Sequence, residues 1–157
     1  MRGTERTNLP AIRSARIADV DAVATVVRDA YAVYVARIGR QPAPATADYR
    51  QLIADGLVWV AETATEIVGV LVLRPQKQAL LLENVAVAPS HQRRGIGRRL
   101  IAYAEQRARE LGLSAIELYT NEQMTENLQL YPSLGYSETG RRIEDGFARV
   151  FFEKRLT

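Results

Sequence analysis

The sequence predicts an α/β (α+β) protein, a single three-layer domain over residues 1–157 with a mostly antiparallel, partly mixed central sheet between helices. Three observations predict it. Apolar residues recur at helical spacing in several segments, β-branched runs of strand length lie between those segments, and no repeat, linker or composition break divides the chain. A length of 157 residues suits one domain and is short for two. With 47% hydrophobic and 25% charged residues the chain can bury a core, which excludes disorder as a global description.

Taken in order, residues 1–10 read as a flexible arm, and the stretch to Arg13 carries no periodicity beyond a lead-in to a first strand. From Asp19, a candidate N-cap, Val20, Val23, Ala24, Val27, Ala30 and Tyr31 mark a helix that ends at Gly39. Gln41-Pro42-Ala43-Pro44 is a loop, because prolines this close exclude a helix interior. Ala47 to Ala54 is a short helix ending near Gly56. Leu57 to Ala61 and Ile67 to Leu73 form a strand hairpin, and Ala79 to Val87 is a central, largely buried strand. Ile96, Leu100, Ala104, Ala108 and Leu111 stripe a helix stopped by Gly112. Ser114 to Tyr119 is a strand, Thr125 to Leu134 a helix, and Phe147 to Glu153 a terminal strand entered through an Asp145-Gly146 turn. That last strand is a candidate for pairing across a homodimer.

Composition narrows the chemistry. The absence of cysteine removes disulfides, thiolate metal sites and acyl-cysteine intermediates. One histidine, His91, leaves neither a poly-histidine metal site nor a Ser-His-Asp triad. No apolar run reaches the roughly 18–20 residues that span a bilayer, and Met1 to Arg13 lacks the apolar stretch of a secretory signal, so the expected location is cytoplasmic. The 21 basic and 18 acidic residues give a net charge of only +3, which argues against nucleic acid as the partner. Arg93, Arg94, Arg98 and Arg99 nevertheless cluster around Gly95 and Gly97, a patch suited to a phosphate-bearing ligand.

That cluster opens the striped helix directly after the buried strand. The first turn of a helix leaves N–H groups unpaired at the positive end of its dipole. Glycines there let a phosphate approach those groups closely. The pattern is neither the P-loop, lacking Gly-Lys-Ser/Thr, nor the dinucleotide fingerprint, lacking a third glycine. On pattern alone, a plain strand-to-helix connection remains the alternative.

The run Val85-Ala86-Val87-x-Pro89-x-x-Gln92-x-x-Gly95-x-Gly97 resembles the acetyl-CoA-binding motif of the GNAT superfamily of N-acetyltransferases. Leu130-Tyr131-x-x-x-Gly135-Tyr136 resembles its second signature, Leu-Tyr-x-x-x-Gly-Phe, in the expected order and separation. The resemblance implies a GNAT-like fold with helices on both sheet faces, and acetyl-CoA as cosubstrate with no metal. It implies transfer of the acetyl group to a primary amine of a small molecule or protein in a ternary complex. Main-chain groups of Val85, Ala86 and Val87 would pair with the pantetheine amides, and a backbone N–H near Val85 would face the thioester oxygen. Gln92, Arg93, Arg94, Gly95, Ile96, Gly97 and Arg98 would hold the pyrophosphate.

The resemblance implies Tyr131 as the acid that protonates the departing thiolate; a core tyrosine is the other reading. Glu83, the only carboxylate in the central strand, either holds a water that accepts the amine proton or pairs with an arginine. Asn127 is a candidate for the pantetheine or acetyl region, with Asn121 as another. The sequence departs from the family here, since Met124 stands seven residues before Tyr131, where the family has an Asn. Tyr31, Tyr34, Arg37, Arg40, Tyr49 and Trp59 fall in regions that line the acceptor side in the family. The competing function is a non-catalytic acyl-CoA-binding or sensing module.

Overall fold

The structure, a computed structural model, describes residues 9–157; the arm expected over residues 1–10 lies outside the described residues as far as residue 8. The described elements run β1 (Ala11–Ser14), α1 (Val20–Ile38), α2 (Tyr49–Ala54), β2 (Val58–Glu62), β3 (Ile67–Pro75), β4 (Ala79–Val87), α3 (Ile96–Glu110), β5 (Ala115–Asn121), α4 (Thr125–Ser133), β6 (Ser137–Glu144) and β7 (Phe147–Arg155). The strand order is β1-β2-β3-β4-β5-β7-β6. Pairing is antiparallel for β1 with β2, β2 with β3, β5 with β7 and β6 with β7, whereas β4 and β5 are parallel. This is the mixed, mostly antiparallel α/β sheet that the sequence predicts.

The chain divides into two compact units, one running through Val72 with Asn84–Ile101, the other comprising Leu73–Glu83 with Ala102–Thr157. In the first, Val23, Val26 and Val27 of α1 pack with Tyr49 and Ile53 of α2 and with Val58, Val60, Val70, Val72 and Ala86 of the strands. The β-branched residues suit the pleated surface, and each fully buried valine contributes about 1.5–3 kcal/mol. On the other side of β3, a Cβ added at Gly69 would stand 3.0 Å from Leu100 Cδ1 and 3.3 Å from Ile96 Cγ2, so α3 rides directly on the strand backbone.

In the second unit, Leu80 and Leu82 of β4 lie in parallel register with Ile116 and Leu118 of β5. Ala104, Ala108, Tyr131, Tyr136, Val150 and Phe152 are also buried. Gly135 belongs to the second sequence signature for a packing reason as well as for its φ of +95°. A side chain there would meet Lys154 Cε at 3.3 Å, and Lys154 Nζ is committed to Glu105 Oε1 at 3.1 Å.

Several expectations change. Asp19 stands at the N-cap of α1 but makes no capping bond to it. Its carboxylate instead accepts from the Arg16 N–H at 2.7 Å and from Arg13 Nη1 and Nη2 at 2.8 and 3.1 Å. Arg13 also reaches Glu62, and both carboxyls are held below the usual carboxylate range by that guanidinium. The loop expected at residues 41–44 passes into a 3-10 turn at Ala43–Thr46, and Asp48 caps α2 by accepting from Gln51 N–H. β7 is flanked by β5 and β6, so it has no open edge with which to pair across a dimer; the outer strand is β6. Among the described residues no helix is long and apolar enough to cross a membrane.

Candidate functional site

In the first unit, β4 runs into a 3-10 turn at Pro89–His91 and then into α3. Gln92 staples this connection, its Nε2 donating to the Val87 carbonyl at 3.0 Å, while the Ala88 N–H pairs with the Val68 carbonyl at 2.8 Å. Arg93 and Gly95 both adopt left-handed conformations, φ +65° and +83°. Such residues build the backbone concavities that take anions, and the arrangement costs a non-glycine residue such as Arg93 about 1–2 kcal/mol.

The Arg99 N–H bonds back to the Gly95 carbonyl at 3.1 Å. The amides before it, at Ile96, Gly97 and Arg98, belong to the first turn, where no intrahelical acceptor exists. A Cβ at Gly95 would find nothing within 4 Å, and one at Gly97 would touch only Val87 Cγ2 at 3.7 Å. A side chain at Gly95 would therefore enter open space, and one at Gly97 would make only an ordinary contact with Val87. Ile96 is buried and anchors the helix, while Arg93, Arg94 and Arg98 are exposed around the opening. Arg99 leaves the expected patch, because its Nη1 donates to the Pro10 carbonyl. These groups fit a diphosphate: open amides, a positive helix end and three solvent-facing guanidiniums.

Val85 and Val87 are half-buried and Ala86 is buried, so burial alternates through β4. Between them and Glu83 lies Asn84, a residue to which sequence reasoning gave no role. It is 4% exposed, and its Oδ1 accepts from Tyr31 OH at 2.7 Å while its Nδ2 donates to Tyr49 OH at 3.0 Å. Tyr49 OH in turn donates to the Pro44 carbonyl. The available signal was one amide among Leu80, Leu82 and Ala86 at the buried positions of a strand. Tyr31 and Tyr49 are thus brought together, whereas Tyr34 lies tilted against Tyr31, ring centroids 6.2 Å apart, and under the Arg37 guanidinium.

In the second unit, Glu83 Oε1 accepts from Arg74 Nε at 3.2 Å, the arginine pairing that sequence reasoning held open. Tyr131 is 4% exposed, with its ring 5.7 Å from Tyr136 and 5.8 Å from Phe152. Burial, and then the Glu105 carboxylate to which it donates at 2.9 Å, push the Tyr136 phenol far above its ordinary pKa. Burial likewise raises Tyr119, with Arg149 opposing. Asn127 directs its Nδ2 to Thr120 Oγ1 at 3.0 Å, and Asn121 caps a turn by accepting from the Gln123 N–H. Met124 is buried and accepts from Thr120 OH through its sulfur. Among the described residues no cluster of His, Asp and Glu could hold a metal ion.

A sequence profile described as the Acetyltransferase (GNAT) family matches residues 24–136. The chain is 36% identical over 88 residues to N-acetyltransferase family 8 member 3 of Rattus norvegicus, covering 52% of this chain and 39% of that protein. It is 33% identical over 82 residues to the uncharacterized N-acetyltransferase YvbK of Bacillus subtilis, covering 52% and 53% of the two chains. The chain therefore spans about half the length, or less, of these relatives. Among solved structures, PaiA N-acetyltransferase from Thermoplasma acidophilum, in complex with coenzyme A, superposes with a TM-score of 0.78 over 93% of this chain and 98% of that one. At 18% identity the likeness is one of fold.

Proposed function

Because the chain belongs to the GNAT acetyltransferase family, we propose that it transfers the acetyl group of acetyl-CoA to a primary amine of a small molecule or protein. The observation that carries this reading is the glycine turn at the start of α3, where a side chain at Gly95 would meet nothing within 4 Å and one at Gly97 only Val87 Cγ2 at 3.7 Å. In the proposal, the amides of Ile96, Gly97 and Arg98 and the guanidiniums of Arg93, Arg94 and Arg98 bind the diphosphate, with Gln92 and Gly95 shaping the turn. Val85, Ala86 and Val87 offer main-chain groups to the pantetheine arm, although the Val87 carbonyl already accepts from Gln92.

The chemistry is direct. The amine nitrogen attacks the thioester carbonyl, the carbon–sulfur bond breaks, and the sulfur leaves with a proton. A Val85 N–H stabilises the charge that develops on the carbonyl oxygen. Tyr131 supplies the proton to sulfur from a buried aromatic setting that excludes bulk water. Glu83, with Arg74 on one oxygen, keeps the other for a water that takes the amine proton. Asn127, whose Nδ2 is tied to Thr120, would offer its remaining amide capacity to the pantetheine.

Calorimetry with coenzyme A, followed by thiol release from acetyl-CoA with a panel of amines, tests the reading. Binding together with amine-dependent release supports it. Tyr131→Phe then lowers kcat by about 100-fold with acetyl-CoA affinity little changed. Tight coenzyme binding with no amine-dependent release identifies a sensing module, and no binding at all overturns the assignment.

A further inference from the structure

We infer that Asn84 is a positioning residue for the transfer, aiming the Val85 amide and fixing the α1–α2 wall to the same strand; this rests on the acetyltransfer reading above. Three bonds in series carry the inference: Tyr31 OH to Asn84 Oδ1, Asn84 Nδ2 to Tyr49 OH, and Tyr49 OH to the Pro44 carbonyl. A phenol has one proton, so the Tyr49 proton committed to Pro44 leaves only its oxygen for Asn84, and the chain runs in one direction. The primary amide of asparagine matches both demands, accepting on one side and donating on the other.

The setting makes the amide costly to keep for any lesser reason. Asn84 is 4% exposed, and Tyr49 and the adjacent strand residue Ala86 belong to the valine-lined core of the first unit. A polar group there must be hydrogen-bonded to be tolerated. The bonds reach α1 through Tyr31, and the Pro44 turn and α2 through Tyr49, across sequence separations of 53 and 35 residues. They converge on the residue immediately before Val85. Stabilisation of a developing oxyanion depends on how accurately its donor is aimed, so a hold on the backbone at Asn84 acts on the chemistry without touching substrate.

Asn84→Asp tests this with a signature that packing alone does not give. A protonated carboxyl reproduces the amide: one oxygen accepts from Tyr31 and the O–H donates to Tyr49. The ionised form can only accept, and it meets the Tyr49 oxygen with no proton to offer. The titratable groups bonded to the position are Tyr31 from α1 and Tyr49 from α2, while the preceding Glu83 is held by Arg74 of β3. Burial raises the pKa of a carboxyl in this place. The variant is therefore competent at low pH and loses kcat as pH rises through that raised value, by about tenfold relative to the wild-type profile.

Tyr31→Phe is the companion variant. It lowers kcat about tenfold with coenzyme A affinity unchanged, and it speeds hydrogen exchange at the Val85 amide in the coenzyme-bound protein, read by NMR. Should Asn84→Asp fail to melt cooperatively, Tyr31→Phe decides the matter. A wild-type pH profile for a folded Asn84→Asp, or unchanged kcat and Val85 exchange in Tyr31→Phe, overturns the inference. If wild type binds coenzyme A without amine-dependent release, the transferase reading fails by itself, and Val85 exchange still reports whether the strand is held.

Discussion

Gly69 and Gly97 lie in the same unit and neither has a positive φ, yet each is glycine for an opposite reason. At Gly69 a methyl group would stand 3.0 Å from both Ala61 Cβ and Leu100 Cδ1, so the protein's own helix occupies the space that a side chain would need. At Gly97 the nearest atom is Val87 Cγ2 at 3.7 Å, an ordinary van der Waals distance. The first glycine is explained by the fold. The second is not, and in the proposed function the space in front of it takes the diphosphate of the coenzyme. Two glycines that look alike in sequence are separated by what surrounds them.

Substitutions can break that contrast. Gly97→Leu produces the largest expected effect: coenzyme A affinity falls about 100-fold, about 2.7 kcal/mol, while the melting temperature holds. A matched loss of stability would show that the protein itself needs the space. Gly69→Val does the reverse, costing about 1–3 kcal/mol from overpacking, read as a lower melting temperature with coenzyme affinity intact in the folded fraction. Gly95→Ala falls between them. Its φ of +83° makes any side chain strained, at about 1–2 kcal/mol of stability, and the single methyl weakens coenzyme binding less than leucine does at Gly97.

The smallest effect belongs to a control at an ion pair of β1, outside the glycine turn. Arg13 depresses the Asp19 carboxyl, so the pair stabilises the fold above the unfolded carboxyl value of about 4, and that contribution is lost as pH falls through the lower folded value. Arg13→Met flattens this acid limb in thermal melts, and it leaves coenzyme binding unchanged.

Where burial enforces a period, the sequence was readable. β4 and α3 emerge at nearly their observed bounds because one is apolar almost throughout and the other carries a stripe from Ile96 to Ala108. β6 was missed because it is polar and mostly exposed, so nothing along it imposes alternation. The glycine turn was legible as a local pattern joining a strand to a helix. The Asn84 relay was not, because its partners arrive from α1 and α2 and nothing near residue 84 announces them. Arg99 counted toward the basic cluster in the sequence until tertiary structure gave its guanidinium the Pro10 carbonyl.

The strand hidden from pattern reading also sets what one border of the sheet offers to another chain. β6 forms the rim of the sheet, its register against β7 shifts between Glu138 and Gly140, and its charges are tied up with one another, Arg141 to Glu138 and Arg142 to Glu144. Another chain seeking to extend the ladder there must dehydrate those ion pairs and follow a kinked line, and the exposed Ile143 offers it a single greasy foothold. The border that gave no periodic signal is thereby a poor template for stacking into fibrils.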